Sequence, residues 1–502
     1  MPCSILDAFQ TLLACTLGLR FDQDKRPMLE DVLVSRMRET RAPTPSQYFD
    51  RLRSVPAEAQ QCARLLTVSE TYFFRDRNQF RVLRALLQAR ALSSTRHLRV
   101  LCAGCSSGEE PYSIAMMARE TLGNTENWNV SILGVDVNTE VIAKARKAVY
   151  SPWSLRDTDE LLARKYFRED AKHYTLDPSI QEMVRFESHN LADPDLVLWR
   201  PEAFDLVFCR NVLMYFVPNI AQSVVARIAA ALAPNGHLFL GHAENLRGLS
   251  QDFHLRHSHE TFYYERRAIL GARAGVHMET RPSAPAIPLM PASHEDTTWF
   301  DTIARASSRI AQISRQSDRL QHEASSALKQ TPAAEHSASQ TALACSDLAA
   351  VMTFIGQERF AEALSLLSTL PVSTDDPETH VLRAMLLLST GDAEAAQRLC
   401  QEILRHDELN VGAHYIMAIC QEHAGATVQA VEHNQTAAYL DPICNAALQL
   451  GRMARRGGDV LTAKRELETA LGLLPREDIS YRFGLGRWVQ SRRSHPAVPR
   501  GT

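Results

Sequence analysis

What the chain lacks narrows its class before any motif is read. Its 502 residues hold no run approaching ~18 uninterrupted apolar residues, so no membrane-spanning helix and no direct membrane insertion are expected. The opening residues, MPCSILDAFQ, place no basic run ahead of their apolar stretch, and no secretion signal is expected. Charge of one sign is scarce. The 55 Lys and Arg against 58 Asp and Glu leave a formal −3, which carries no nucleic-acid signature. The ten cysteines have no framework spacing, which excludes a disulfide scaffold and reads as reduced thiols in a cytoplasm. One Cys-x-x-Cys, Cys102 to Cys105, has no second pair to complete a metal site, so core packing is its reading and no metal is expected. The length suits two or three domains.

The stretch that organises the rest is RVLCAGCSSGEEPYSIAMM, residues 99–117. An apolar run of buried-strand length passes through the small residues 103–108 into an amphipathic helix starting near Glu109, with Pro111 in its first turn. Strand, glycine turn and helix N-terminus make the nucleotide-binding corner of a doubly wound α/β domain. Glu109 and Glu110 occupy the helix end that a phosphate would need. The corner is set for a neutral or cationic group, and the ammonium of S-adenosylmethionine fits.

Residues 1–68 read as a small all-α domain. It carries Arg36, Arg38, Arg41, Arg51 and Arg53, either a solvated helix face or a docking surface for an acidic partner. From 69 to 268, strands RVLCAG, VSILGVDVN, MVRFESHNL, FDLVFCRNVLMYF and GHLFLGHAEN alternate with helices, the pattern of a Rossmann-like sheet. Their ends carry Asp136, Asn190 and the Arg210–Asn211 pair, where an open parallel sheet binds ligands. Asp136 follows Gly108 by 28 residues, the place of an acid that holds ribose hydroxyls. An insertion between Tyr150 and Val184 stays open, with HYTL and MVRFES as candidates for a small antiparallel appendage. Residues 269–344, with TRPSAPAIPLMPAS, read as a flexible linker that holds one marginal helix after Trp299. In 345–475 the alanines Ala363, Ala396, Ala430 and Ala463 recur at 33, 34 and 33 residues, with Gly391 and Gly425 between paired helices. That is the tetratricopeptide (TPR) period, expected to give an all-α solenoid. The basic tail 476–502 is expected to fray.

With these motifs assembled, the first 268 residues resemble the CheR family, the chemotaxis-receptor glutamate methyltransferases. TVSETYFFR (67–75) looks like the family's entry to its catalytic domain, and CSSGEEPYS, GVDVNTEVIAKAR, SHNL, FDLVFCRNVLMYF and GHAEN match further blocks in order. The resemblance implies that S-adenosylmethionine contacts fall on Ser69, Thr71, Arg75, Glu110, Asp136, Asn190, Leu191, Cys209 and Arg210. It departs at Ser69, where the family commonly has Asn, and at Ala243, where Ser is usual. The implied partner is the cytoplasmic helical region of methyl-accepting receptors. The repeats resemble those of a subset of the family and would bind a further protein or peptide.

The inventory agrees with that chemistry. A sulfonium methyl is already activated, and a glutamate side chain (pKa ~4.3) is already ionised at neutral pH, so no general base is needed. No His pairs with an acid in the motif blocks, and His242, the nearest candidate for a base, reads as a residue for packing or a backbone hydrogen bond. An in-line transfer needs a held carboxylate. Arg75, with its fork of donors, and Tyr215, just beyond the fourth strand, are the candidates. A structural, salt-bridged Arg75 is the alternative. Two other readings stand beside receptor glutamate methylation: a signalling adaptor with a degenerate methyltransferase fold, and a methyltransferase for another substrate.

Overall fold

Prolines punctuate the start of the chain, and helices begin on them. The computed structural model describes residues 3–268 and 350–473, apart from 68, 124–126, 171, 195–196, 352, 356, 358, 370–376 and 443. It opens with α1 (Cys3–Leu17), α2 (Arg26–Thr40), α3 (Pro45–Ser54) and α4 (Pro56–Leu66). Pro45 and Pro56 stand first in their helices and Pro27 in the first turn of α2, where a missing N–H breaks no intrahelical bond. Phe9, Leu13, Leu33, Tyr48 and Leu52 are buried, with Phe9 stacked on Phe49. The arginine-rich stretch divides. Arg36 is buried and forks onto Glu58 through two 2.8 Å bonds, while the Tyr48 hydroxyl donates to the same carboxylate at 2.9 Å. Burial pushes the Glu58 carboxyl up, but the bonds from Arg36 and Tyr48 hold it below its ordinary range. Arg36 therefore fits neither reading of the arginines. Arg38, Arg41, Arg51 and Arg53 remain exposed.

Next come α5 (Arg77–Leu92), β1 (His97–Ala103), α6 (Glu109–Leu122), β2 (Asn129–Asp136) and α7 (Thr139–Lys147). The chain continues through β3 (Val149–Tyr150), α8 (Glu160–Tyr166), β4 (Phe167–Asp170), β5 (His173–Leu176), α9 (Pro178–Gln181) and β6 (Val184–Ser188). It ends with β7 (Phe204–Cys209), α10 (Pro218–Ala231), β8 (Leu232–Leu240), β9 (Phe253–Ser258) and β10 (Thr261–Arg266). The large sheet has the order β6-β2-β1-β7-β8-β10-β9. Its first five strands are parallel and β10 runs antiparallel to both its neighbours. The order reverses between β1 and β7, which opens a crevice at their carboxyl ends. Every residue of β7 is buried, and Phe208, Phe239 and Tyr263 stack in a ladder across β7, β8 and β10.

The insertion left open in the sequence is resolved here, and one hairpin is new. HYTL does join a small antiparallel sheet, β3-β5-β4, but MVRFES becomes β6 and pairs in parallel with β2. The β9–β10 hairpin was not anticipated. Its turn is built on His259 and Glu260, both at positive φ (52° and 59°), in place of the Asn-Gly pair that marks such turns in a sequence.

The chain divides into two units, Met1–Ala284 and Pro285–Thr502. The second contains α11 (Phe360–Thr369), α12 (Pro377–Thr390), α13 (Ala393–His406), α14 (Val411–His423), α15 (Thr427–Leu440), α16 (Cys444–Arg456) and α17 (Val460–Leu473). The four repeating alanines are buried, since a larger side chain at that level would hold paired helices apart. Gly391 and Gly425, joined by Gly458, turn the chain at φ +98°, +80° and +82° between helices of a pair. The result is an all-α array of helix pairs with the tetratricopeptide period. The linker, its marginal helix and the tail lie outside the described residues.

Candidate active site

The cofactor turn is fixed from three sides. Gly104 stands at φ +77°, and a Cβ there would lie 2.4 Å from Val212 Cγ2, so only glycine fits. Ser106 holds a left-handed φ of 49°. Its N–H donates to Asp136 Oδ2 (3.0 Å) and its hydroxyl to the Ser69 carbonyl (3.0 Å). The other Asp136 oxygen accepts from Asn138 N–H at 2.9 Å. Burial pushes the Asp136 carboxyl up, and these N–H groups pull it back only in part.

Beyond the turn lies an enclosed ion pair. Arg210 Nη1 donates to Glu110 Oε2 at 3.1 Å, and Nη2 donates to the Arg75 carbonyl at 2.8 Å. Burial pushes the Glu110 carboxyl up, while the Arg210 charge counters it. Arg210 Nε is buried without a hydrogen-bond partner, a donor left over by the protein itself. Arg75 sits between Phe74 and Asp76, both at positive φ (56° and 66°). That strain is held by Phe74 N–H donating to Ser113 Oγ and by Asp76 capping α5. The Arg75 guanidinium forms no ion pair among the described residues; it reaches the Glu70 carbonyl at 3.4 Å. The salt-bridged alternative for Arg75 is not what the geometry gives.

The N-terminal helices supply a wall. Arg20 N–H donates to the Tyr215 carbonyl (2.7 Å) and Val217 N–H to the Gly18 carbonyl (2.9 Å), while Lys25 Nζ stands 5.6 Å from the Tyr215 ring centroid. Together these elements form a cleft with a cavity volume of about 200 Å³. Ser69, Thr71, Arg75, Glu110, Asp136, Asn190, Leu191, Arg210 and Tyr215 all line it. Cys209 does not. Its side chain is wholly buried in β7, where burial pushes the thiol up. A leftover guanidinium donor, two enclosed carboxylates and a glycine turn suit a ligand with an ammonium, a carboxylate and ribose hydroxyls, and S-adenosylmethionine has all three.

Three residues escaped the sequence. Glu244 is buried and accepts from the N–H groups of Gly241 (2.9 Å), Asn211 (2.6 Å), Val212 (2.8 Å) and Met214 (3.3 Å), so it shapes the loop carrying Arg210 and Tyr215. Its signal was a lone acid among small residues in GHAEN. His189 does pair with an acid, Glu187, at 3.0 Å, and it lines the cleft. Lys25 reaches the cleft from a separate helical element, with no motif around it. His242, expected to pack, is exposed.

A family model described as CheR methyltransferase, SAM binding domain, matches residues 69–262, and one described as CheR methyltransferase, all-alpha domain, matches 5–67. The chain is similar to chemotaxis protein methyltransferase 2 of Vibrio cholerae, 33% identical over 258 residues, 49% of this chain and 88% of that protein. It is 35% identical to the chemotaxis protein methyltransferase of Escherichia coli over 246 residues, 48% of this chain and 83% of that one. It is also similar to the probable biofilm formation methyltransferase WspC of Pseudomonas aeruginosa, 33% identical over 240 residues, 47% of this chain and 56% of that protein. Among solved structures, YrrB, described as a TPR protein with an unusual peptide-binding site, reaches a TM-score of 0.23 at 16% identity over 29% of this chain and 73% of that one, too slight a likeness to carry an argument.

Proposed function

The chain belongs to the CheR methyltransferase family, and on that premise we propose that it methylates glutamate side chains of methyl-accepting chemotaxis-type receptors, forming glutamate methyl esters in a cytoplasmic signalling pathway. S-adenosylmethionine is the methyl donor and supplies an activated methyl group. The chain's own residues bind and orient. Glu110 faces the ammonium, Asp136 holds ribose hydroxyls, and Ser69, Thr71, Asn190, Leu191 and Arg210 complete the cofactor contacts, while Cys209, buried in β7, is not among them. Arg75 and Tyr215 hold the substrate carboxylate in line with the methyl group, where orientation alone is worth several kcal/mol.

One observation carries the substrate class. A guanidinium without an ion pair, Arg75, stands on the cleft wall near the enclosed Glu110, so an anion is attracted to one part of the cleft and a cation to another. The substrate needs no proton removed, and no base is required of His189 or His242. The complete set of Gly104, Glu110, Asp136 and Arg75 weighs against an adaptor with a degenerate site.

We assign residues 1–68 to receptor docking, 69–268 to catalysis, 269–344 to a linker, 345–475 to TPR-type protein binding and 476–502 to a tail. The test uses the full chain, methyl-labelled cofactor and a receptor cytoplasmic fragment. A glutamate ester releases its label as volatile methanol on mild base treatment. Label that resists base, or no label in the receptor, overturns this reading.

A further inference from the structure

A second arginine stands near Arg75, and it is already occupied. Arg156 follows the short 3-10 helix Pro152–Leu155. Its guanidinium lies 3.6 Å from the Tyr72 ring centroid and 4.2 Å from that of Trp153, donates to the Trp153 carbonyl at 2.8 Å, and stands 3.6 Å from the Glu70 carboxylate. Arg75 lies 5.7 Å from the same Tyr72 ring and reaches the carbonyl of the same Glu70. Glu70, Tyr72 and Arg75 line the cleft, whereas Arg156 does not. The Glu70 side chain is 70% exposed, its carboxylate pairs with Arg156 off the cleft wall, and its backbone carbonyl accepts from Arg75 on that wall.

The turn that carries Arg156 is stitched to the site. Phe73 N–H donates to the Ser154 carbonyl at 2.9 Å, and Arg77 Nη2 donates to the Asp157 carbonyl at 3.0 Å. Ser154 Oγ donates to Glu109 at 3.2 Å, and Glu109 also accepts from Ser107 Oγ at 2.7 Å, inside the cofactor turn. Arg156 is therefore presented at a fixed place relative to both the 70–77 segment and the start of α6.

We propose that Arg156 is a positioning residue: by pairing with Glu70 and stacking on Tyr72, it keeps Glu70 away from Arg75 and leaves the Arg75 guanidinium to the substrate carboxylate. The proposal rests on the reading that the substrate is a glutamate side chain. Glu70 is the same chemical group as that substrate, tethered five residues from Arg75. A tethered group competes at an effective concentration of about millimolar or more, above that of a receptor in dilute solution. A planar guanidinium suits the restraining role because it stacks on the ring and presents donors to the carboxylate at once, which an ammonium does less well.

The test compares the full chain with Arg156→Ala and with Arg156→Ala/Glu70→Gln, measuring KM for a receptor fragment, kcat, and cofactor affinity by calorimetry. Arg156→Ala should raise KM about fivefold, the scale of one exposed ion pair, with kcat and cofactor affinity nearly unchanged. Adding Glu70→Gln should return KM to within about twofold of the parent, because the competitor has lost its charge. An unchanged KM, or a rise that Glu70→Gln does not relieve, overturns the proposal and leaves Arg156 as a structural clamp. Should Arg156→Ala not fold, Arg156→Lys is read the same way, with a smaller rise that Glu70→Gln must again remove. Absence of base-labile product with the parent chain overturns the glutamate reading itself, and this proposal with it.

Discussion

Asp136 uses one oxygen on Ser106 N–H and the other on Asn138 N–H, with Val137 N–H also acting on the carboxylate, and it lines the cleft with lone-pair capacity left for a ribose hydroxyl. Asp136→Ala should weaken cofactor binding by ~1–3 kcal/mol, through lost charged hydrogen bonds and a slackened turn at Ser106. Calorimetry showing equal affinity in that variant would take Asp136 out of the site. Glu110 gives a pH dependence with a definite sign. Burial raises its carboxyl above the ordinary range in spite of Arg210. Only the ionised form attracts an ammonium, so acidification should weaken the cofactor at a pH above that at which an exposed glutamate (~4.3) protonates. An affinity that weakens only where an exposed glutamate protonates, and no earlier on acidification, would mean that Glu110 does not face the ammonium. Most of these residues were legible because each sits inside a contiguous block at a strand end. Glu244 was not, because three of the N–H groups it binds lie 30 to 33 residues earlier in the chain.

At the scale of elements, the loop after β7 depends on that buried carboxylate. Glu244→Ala would strand the N–H groups of Gly241, Asn211, Val212 and Met214, at ~1–3 kcal/mol for each one left unsatisfied. Asn211, already at φ +58°, loses the bond that holds it. Amide hydrogen exchange over 211–214 should quicken and cofactor affinity should drop with it; unaltered exchange would show the loop to be held by its apolar packing. Helix α2 presents a separate case. The arginines of α2 and its C-cap look alike in sequence, but Arg36 is committed to Glu58 inside the helical domain, while Arg38 and the capping Arg41 are exposed and can face a partner. Reversing those two to Glu should raise KM for a receptor fragment and flatten its salt dependence, as expected for steering toward surface carboxylates. If neither quantity moves, these arginines are a solvated face. The helix pattern was readable here from spacing, but which arginine turns inward was decided by Glu58 on α4, beyond the reach of a local pattern. The β9–β10 hairpin was missed for a related reason, since His259 and Glu260 carry no local sign of their positive φ.

At the scale of the molecule, the family likeness stops short of the helix pairs. The family models end at residue 262, and the Vibrio cholerae relative is 88% covered by only 49% of this chain. Among the described residues, those that line the cleft run from Leu17 to Phe216, in the first unit. We propose that the array serves binding rather than chemistry, since a stack of helix pairs presents an extended surface suited to a peptide from another protein. Holding that partner beside the receptor would raise the effective concentration of the enzyme without altering any contact in the cleft. Deleting residues 345–502 should then leave methylation of an isolated receptor fragment nearly unchanged while reducing it in the complete signalling assembly. The isolated fragment is the decisive arm. If the deletion abolishes methylation there, the helix pairs belong to the catalytic unit and tethering is wrong; if methylation rises in the assembly, the array restrains the enzyme and its partner is an inhibitor.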